Sequence, residues 1–272
     1  MTIRNAAAIL LLASGAALAV DGDQCLDMLR KALQSKNPDT RKQAAVALSL
    51  ASDRSPLMPM LEDLLRDKDV EVKLAAVASL SEVKTKSATK ALHAALEDDV
   101  PEVSFAAAKA LWLRNDPAGR TALLAVLEGE TKTASGFLTK QKRDALRMMH
   151  TPRTTFLYAV RQGMGFVPLP GFGEGVASMQ ALLSDPDVSG RATAALMLSK
   201  DKDPATTEAL KNAMFDKDWH VRAAAVHSLA VRNDPAVQKD LAPVLLDDKE
   251  AVRLRGAAAY LRLSAVKASR RK

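Results

Sequence analysis

A short string recurs along the 272 residues, and no other feature limits the fold so tightly. It reads as a capping residue, an optional proline, a valine, a basic or small residue, two alanines and a leucine. The early copies run from Asn37 through Ala44 and Ala45 to Leu48, from Asp69 through Ala75 and Ala76 to Leu80, and from Val100 through Ala106 and Ala107 to Leu111. The late copies run from Asp185 through Ala194 and Ala195 to Leu196, from Asp218 through Ala223 and Ala224 to Leu229, and from Lys249 through Ala257 and Ala258 to Leu261. Anchored on Thr40, Val72, Val103, Val188, Val221 and Val252, neighbours lie 32 and 31 residues apart early and 33 and 31 apart late. The 85 residues between Val103 and Val188 hold one degenerate copy, around Lys140 to Met149, and an insertion. A second identity supports the register: Arg114-Asn115-Asp116-Pro117-Ala118 recurs letter for letter as Arg232-Asn233-Asp234-Pro235-Ala236.

Each part of the string has a cause in helix chemistry. Asn37, Asp69, Asp185 and Asp218 stand where an N-cap must accept backbone N–H bonds. Pro38, Pro101 and Pro186 follow at the first helical position, where a missing N–H costs nothing. Asp39, Glu71, Glu102 and Asp187 then favour the positive end of the helix dipole. Val72, Ala75, Ala76, Ser79 and Leu80 share a helical face, and the alanine pair lets a second helix approach closely. The other helix of each unit is expected to begin at Ser55-Pro56, Asp116-Pro117, Asp203-Pro204 and Asp234-Pro235. Apolar residues make up 48% of the chain but aromatics only 4%, so alanine and leucine carry the burial, as closely packed helices require. Period-two runs bounded by turns, the mark of strands, are not found.

The string Asp216 to Leu229 and its relatives resemble HEAT repeats of the short bacterial type also found in phycobilin lyases. The resemblance covers most of residues 24–264. It implies an all-α, right-handed α-solenoid of about seven two-helix repeats, interrupted by an irregular insertion. It also implies that the basic residue after the valine, here Arg41, Lys73, Arg222 and Arg253, forms a ladder with aspartates of the next repeat; serine stands at that place in Ser104 and Ser189. HEAT proteins that bind iron carry several His-Glu pairs, and none of His93, His150, His220 and His227 lies in one.

The chain divides into a signal peptide (1–19), N-terminal repeats (20–128), a degenerate repeat with its insertion (129–175), C-terminal repeats (176–264) and a basic tail (265–272). Met1 to Asn5 carries one charge, Ala6 to Ala16 is apolar or small, and Ala17-Leu18-Ala19 gives a small-x-small cleavage pattern, with cutting expected after Ala19. The chain is therefore expected in the periplasm or outside the cell. Cys25 cannot form an internal disulfide, and its place beside Leu26 and Leu29 points to burial.

The net charge of +7 is concentrated in two places. Residues 251–272 contribute +7 through Arg253, Arg255, Arg262, Lys267, Arg270, Arg271 and Lys272, and residues 131–163 contribute +6. The rest of the exported chain sums to −7, so it is no uniformly basic scaffold. Export argues against a nucleic-acid ligand, leaving an acidic partner or an anionic membrane surface as candidates for the cations.

Residues 129–175 break the pattern. Gly163, Gly165, Gly171, Gly173 and Gly175 are five of the twelve glycines, and five of the ten aromatic residues fall between Phe137 and Phe172. A linker should be polar, and this one is not. Either it covers an apolar face of the array, or it meets a partner or membrane, with Tyr158, Phe166, Leu169 and Phe172 flanked by Arg147 and Arg153 as the contact residues. No nucleophile elbow, phosphate loop or Cys-His pairing is present, so neither an enzyme nor a cofactor is expected. His220 and His227 lie seven apart on one helix face, which is weak spacing for a metal; we read His220 as a surface residue. The function expected is a non-catalytic scaffold that binds a protein partner along its concave helical face.

Overall fold

The computed structural model describes residues 20–50, 55–127 and 190–270. Among these residues every regular element is helical. The chain runs through α1 (Gly22–Leu33), α2 (Pro38–Leu48), α3 (Met58–Asp63, continued as a 3-10 turn through Arg66), α4 (Val70–Glu82), α5 (Lys86–Ala95), α6 (Pro101–Leu113) and α7 (Pro117–Leu127). It resumes with α8 (Gly190–Met197, continued as a 3-10 turn through Lys200), α9 (Pro204–Ala213), α10 (Trp219–Val231), a 3-10 helix over Pro235–Leu246 and α11 (Glu250–Ser269).

The caps stand largely where the sequence puts them. Asn37 accepts from the Asp39 amide at 2.9 Å, Asp69 from those of Glu71 and Val72, and Asp218 from that of His220. Asp116, Asp203 and Asp234 cap the helices that open on Pro117, Pro204 and Pro235. The expected start at Ser55-Pro56 is corrected: α3 begins at Met58, and Ser55 Oγ instead accepts from the Leu57 amide ahead of it. Asp185 to Asp187 lie outside the described residues.

Pairs of helices form the repeat, an outer one followed by an inner one. The inner helices stack as α8, α10, α11, α2, α4, α6. This order is not the order of the sequence: α11, the last helix, packs on α1 and α2, the first two. It takes the place relative to α1–α2 that α2 takes relative to α3–α4. Thr40 Oγ1 donates to Glu250 Oε2 at 2.7 Å, Arg262 Nη1 reaches Leu50 O, and the Tyr260 hydroxyl donates to Val20 O at 2.7 Å. The described parts of the two halves thus share one core that runs across the junction of chain end and chain beginning. Cys25, on α1 at this junction, is buried as expected, and burial pushes its thiol up to about 11.

Two glycines serve close approach. A Cβ at Gly119 would lie 2.2 Å from Trp112 N and 2.7 Å from Ala108 O, so α7 crosses α6 on bare backbone. A Cβ at Gly256 would lie 2.7 Å from Val244 Cγ1, where α11 presses on the 3-10 helix.

Candidate interaction surface

Charged side chains close the joints between repeats. Arg41 on α2 grips Asp67 in the turn of the next repeat, Nε to Oδ2 at 2.6 Å and Nη2 to Oδ1 at 2.8 Å. Arg222 grips Asp247 in the same bidentate way at 2.7 and 2.8 Å, and Lys73 binds Asp98 at 2.8 Å. Each aspartate also accepts from the amide two residues on, which fixes the turn. Arg41, Arg222 and Arg253 bond in parallel to two carbonyls of their own turns, such as Asp216 O and Lys217 O for Arg222. Burial raises the Asp67 and Asp247 carboxyls, but hydrogen bonds from Arg41 and Arg222 and from backbone amides outweigh it and leave both below the usual carboxylate range.

A fourth rung corrects the register. Arg191, not Ser189, meets Asp216. Two further bonds agree. Ser228 Oγ reaches Ala195 O as Ser79 Oγ reaches Ala45 O, and Arg232 reaches Leu198 O as Arg114 reaches Leu80 O. The position equivalent to Thr40 and Val72 is therefore Gly190, two residues after the valine that matched by letter. At the junction of α11 with α2 the turn position held elsewhere by aspartate is Ser35, whose hydroxyl still accepts from the Asn37 amide. No carboxylate rung is made there among the described residues; Thr40–Glu250 and the contact of Arg255 with Gln43 Oε1 stand in its place.

The pentapeptide that occurs twice is a joint of the same kind. Arg114 donates to Leu80 O, Val83 O and Thr89 Oγ1, and Arg232 to Leu198 O, Asp203 O and Thr207 Oγ1, so each cation closes the open carbonyl end of the preceding inner helix. Asn115 and Asn233 turn the chain at φ 58° and 55°, and the following aspartate caps the next helix.

The basic C-terminus is engaged in the same manner. Arg253 bonds to Asp247 O, Arg255 is fully buried and donates to Ala251 O, Arg262 donates to Asn233 Oδ1, and Arg270 donates to Asn233 O. Residues 265–269 continue α11, and Arg271 and Lys272 lie outside the described residues. Burial pulls Arg255 down to about 9. Of the tail's described cations, Lys267 is the one that lies exposed without a hydrogen bond or ion pair.

The three described histidines are paired with a carboxylate or buried in the fold. His93 Nε2 lies 3.0 Å from Asp116 Oδ2, and His220 Nδ1 lies 3.0 Å from its own cap Asp218. His220 is buried against Trp219, not on the surface as its first-turn position suggested; their ring centroids are 3.8 Å apart. His227 is buried too. Among the described residues no group of three His, Cys, Asp or Glu side chains converges to hold a metal ion.

What remains exposed is narrow. The inner helices carry unbroken buried runs, Leu74 to Leu80 in α4 and Ala223 to Ala230 in α10, so they present little of those stretches to a partner. Among the described residues, and apart from Val70 at the edge of exposure, the exposed large apolar residues fall in two groups. Trp112, Leu113, Met197 and Leu198 lie on α6 and α8, the two ends of the stack. Phe215 and Leu246, 65% and 63% exposed, sit at equivalent places in adjacent repeats, each directly before a rung aspartate and beside an exposed lysine, Lys217 or Lys249. Composition could not single them out; only the stacking places them on one edge. An open groove of about 1020 Å³ between α9, the turn before it and the turn after α10 is lined by Lys200, Asp201, Glu208 and Arg232, and the bonds of Arg232 just described occupy that guanidinium. Arg147, Arg153, Tyr158, Phe166, Leu169 and Phe172 lie outside the described residues.

The family model for HEAT repeats matches residues 57–134 and 177–262, more than half of the chain. Comparison with curated proteins finds no match. Outer and inner helices, the cation–aspartate ladder and this match agree: the chain belongs to the HEAT-repeat family.

Proposed function

We propose that this chain is a non-catalytic scaffold of the cell envelope or extracellular space, and that it binds a protein partner through the turn edge carrying Phe215 and Leu246. The observation that supports it most is that pair. Two large apolar side chains stand more than half exposed on adjacent repeats, held at fixed spacing by the Arg222–Asp247 rung between them. Exposed apolar residues on a rigid frame are the usual anchors of a protein interface. HEAT arrays in general serve protein partners, and the buried runs of the inner helices move the contact from the concave face to the edge. The membrane reading draws on Arg270, Arg271, Lys272 and the apolar loop; Arg270 is spent on Asn233 O and the others lie outside the described residues, so the exposed apolar edge is the better-supported contact. The leader supports an exported location.

The test is capture from envelope extract with the wild type and with Phe215→Ser/Leu246→Ser. Loss of a protein partner from the variant, with unchanged thermal stability, is expected; an unchanged set of captured proteins refutes the edge as the contact. Export is checked by cell fractionation and N-terminal sequencing, where a mature protein beginning at Val20 is expected and an uncut cytoplasmic chain contradicts it.

A further inference from the structure

The apolar residues at the two ends of the stack are more exposed than their counterparts in the other repeats. In the corrected register Met197 matches Ala47, Ser79 and Ser228, each 0% exposed, yet Met197 is 62% exposed. Leu198, 39% exposed, matches Leu48, Leu80, Leu111 and Leu229, all at 0%. Ser79 and Ser228 show what this position faces, since each donates to a carbonyl of the preceding repeat's inner helix. Met197 therefore faces the place of a repeat before α8. At the other end Trp112 is 49% and Leu113 54% exposed, whereas Ser49 and Leu50, their counterparts in α2, are buried at 7% and 1%.

We infer that these two end faces are docking surfaces for the chain's own residues 128–189, and not for an external partner or a second copy. That segment leaves from α7, which packs on α6, and enters α8, so it is tethered to both faces at once. Its 62 residues are two periods of the 31 that separate Gly190 from Val221. The HEAT-repeat match runs into it from both sides, to residue 134 and from residue 177. The apolar surface left at each end is the kind that a stacking neighbour covers in a repeat array. The inference rests on the repeat register and is independent of the proposed partner edge.

Maleimide labelling of the full chain tests it, with Leu113→Cys, Met197→Cys and, as an exposed reference, Phe215→Cys; the wild type with its buried Cys25 is the blank. Cys at 113 and 197 is expected to react at least about tenfold more slowly than at 215, at all protein concentrations and in a monomer. Equal rates in a monomer overturn the inference. Protection that appears only as the protein dimerises also overturns it, by naming a second copy as the occupant. Should a cysteine variant fail to fold, acrylamide quenching of Trp219→Phe, which leaves Trp112 as the sole tryptophan, reads the same face. Quenching several-fold below that of a free tryptophan analogue is expected, and quenching equal to it overturns the inference.

Discussion

Removing Arg222 tests whether the ladder holds the array together. Its guanidinium makes two bonds to Asp247, one of 2.6 Å to Asp248 and one each to Asp216 O and Lys217 O, and the side chains of Arg222 and Asp247 are only 11% and 9% exposed. Arg222→Ala leaves the Asp247 carboxylate, whose side chain is largely buried, without its guanidinium partner and held chiefly by the Lys249 amide. Breaking one side of a pair so placed costs about 3 kcal/mol, and in an array of this size that lowers the melting temperature by roughly 6–12 °C. The same experiment on Lys31, whose pairing with Asp27 is 76% and 50% exposed, shifts stability by no more than about 0.5 kcal/mol. Urea unfolding followed by far-ultraviolet circular dichroism measures both, and the double variant Arg222→Ala/Asp247→Asn isolates the coupling. The sign of the pH dependence follows from the lowered carboxyls. With folded pKa values below the unfolded value of about 3.9, Asp67 and Asp247 stabilise the fold above that value, and the contribution disappears as pH falls through the folded pKa. The gap between wild type and Arg222→Ala should therefore be constant near neutrality and narrow only below about pH 4. An Arg222→Ala cost no larger than that of Lys31→Ala would refute the ladder as a structural element.

Two further substitutions probe joints of other kinds. Gly119→Ala should destabilise by about 3 kcal/mol or prevent folding, because the new methyl meets backbone atoms of α6 that cannot yield, and thermal melting reads it. Asn115→Gly should be neutral or slightly stabilising, since glycine accepts positive φ freely, whereas Asn233→Gly should cost about 1 kcal/mol because Arg262 Nε loses the side-chain oxygen it binds at 2.9 Å. Equal effects at the two sites would contradict the role given to Arg262.

The parts of the fold legible in the sequence are those with a local chemical cause. Asn37, Asp69 and Asp218 cap as read because an N-cap needs only its own helix. The rung to Asp216 falls at Arg191 and not at Ser189 for the opposite reason. The valine at 188 matches by letter, but the rung is set by reach to Asp216 in the next repeat, which no local pattern records. The cations of the C-terminus are visible as charge, yet Arg253, Arg255 and Arg270 pair with backbone carbonyls, which every residue supplies and no residue type announces. The stacking of α11 on α1 and α2 left a single trace, Ser35 where the other turns carry aspartate. The apolar edge was not legible because Phe215 and Leu246 each precede an ordinary turn and become a pair only through stacking.

The order of stacking is the claim on which the rest depends, and a cross-link between chain beginning and chain end tests it most directly. A Cβ at Gly22 would lie 3.8 Å from Leu261 Cδ2. In a Cys25→Ser background, Gly22→Cys/Leu261→Cys treated with a short bismaleimide should give an intramolecular cross-link in the monomer, with a yield that dilution does not change. Products that are only intermolecular, or no cross-link while each cysteine alone is labelled, would show that the last repeat does not stack on the first.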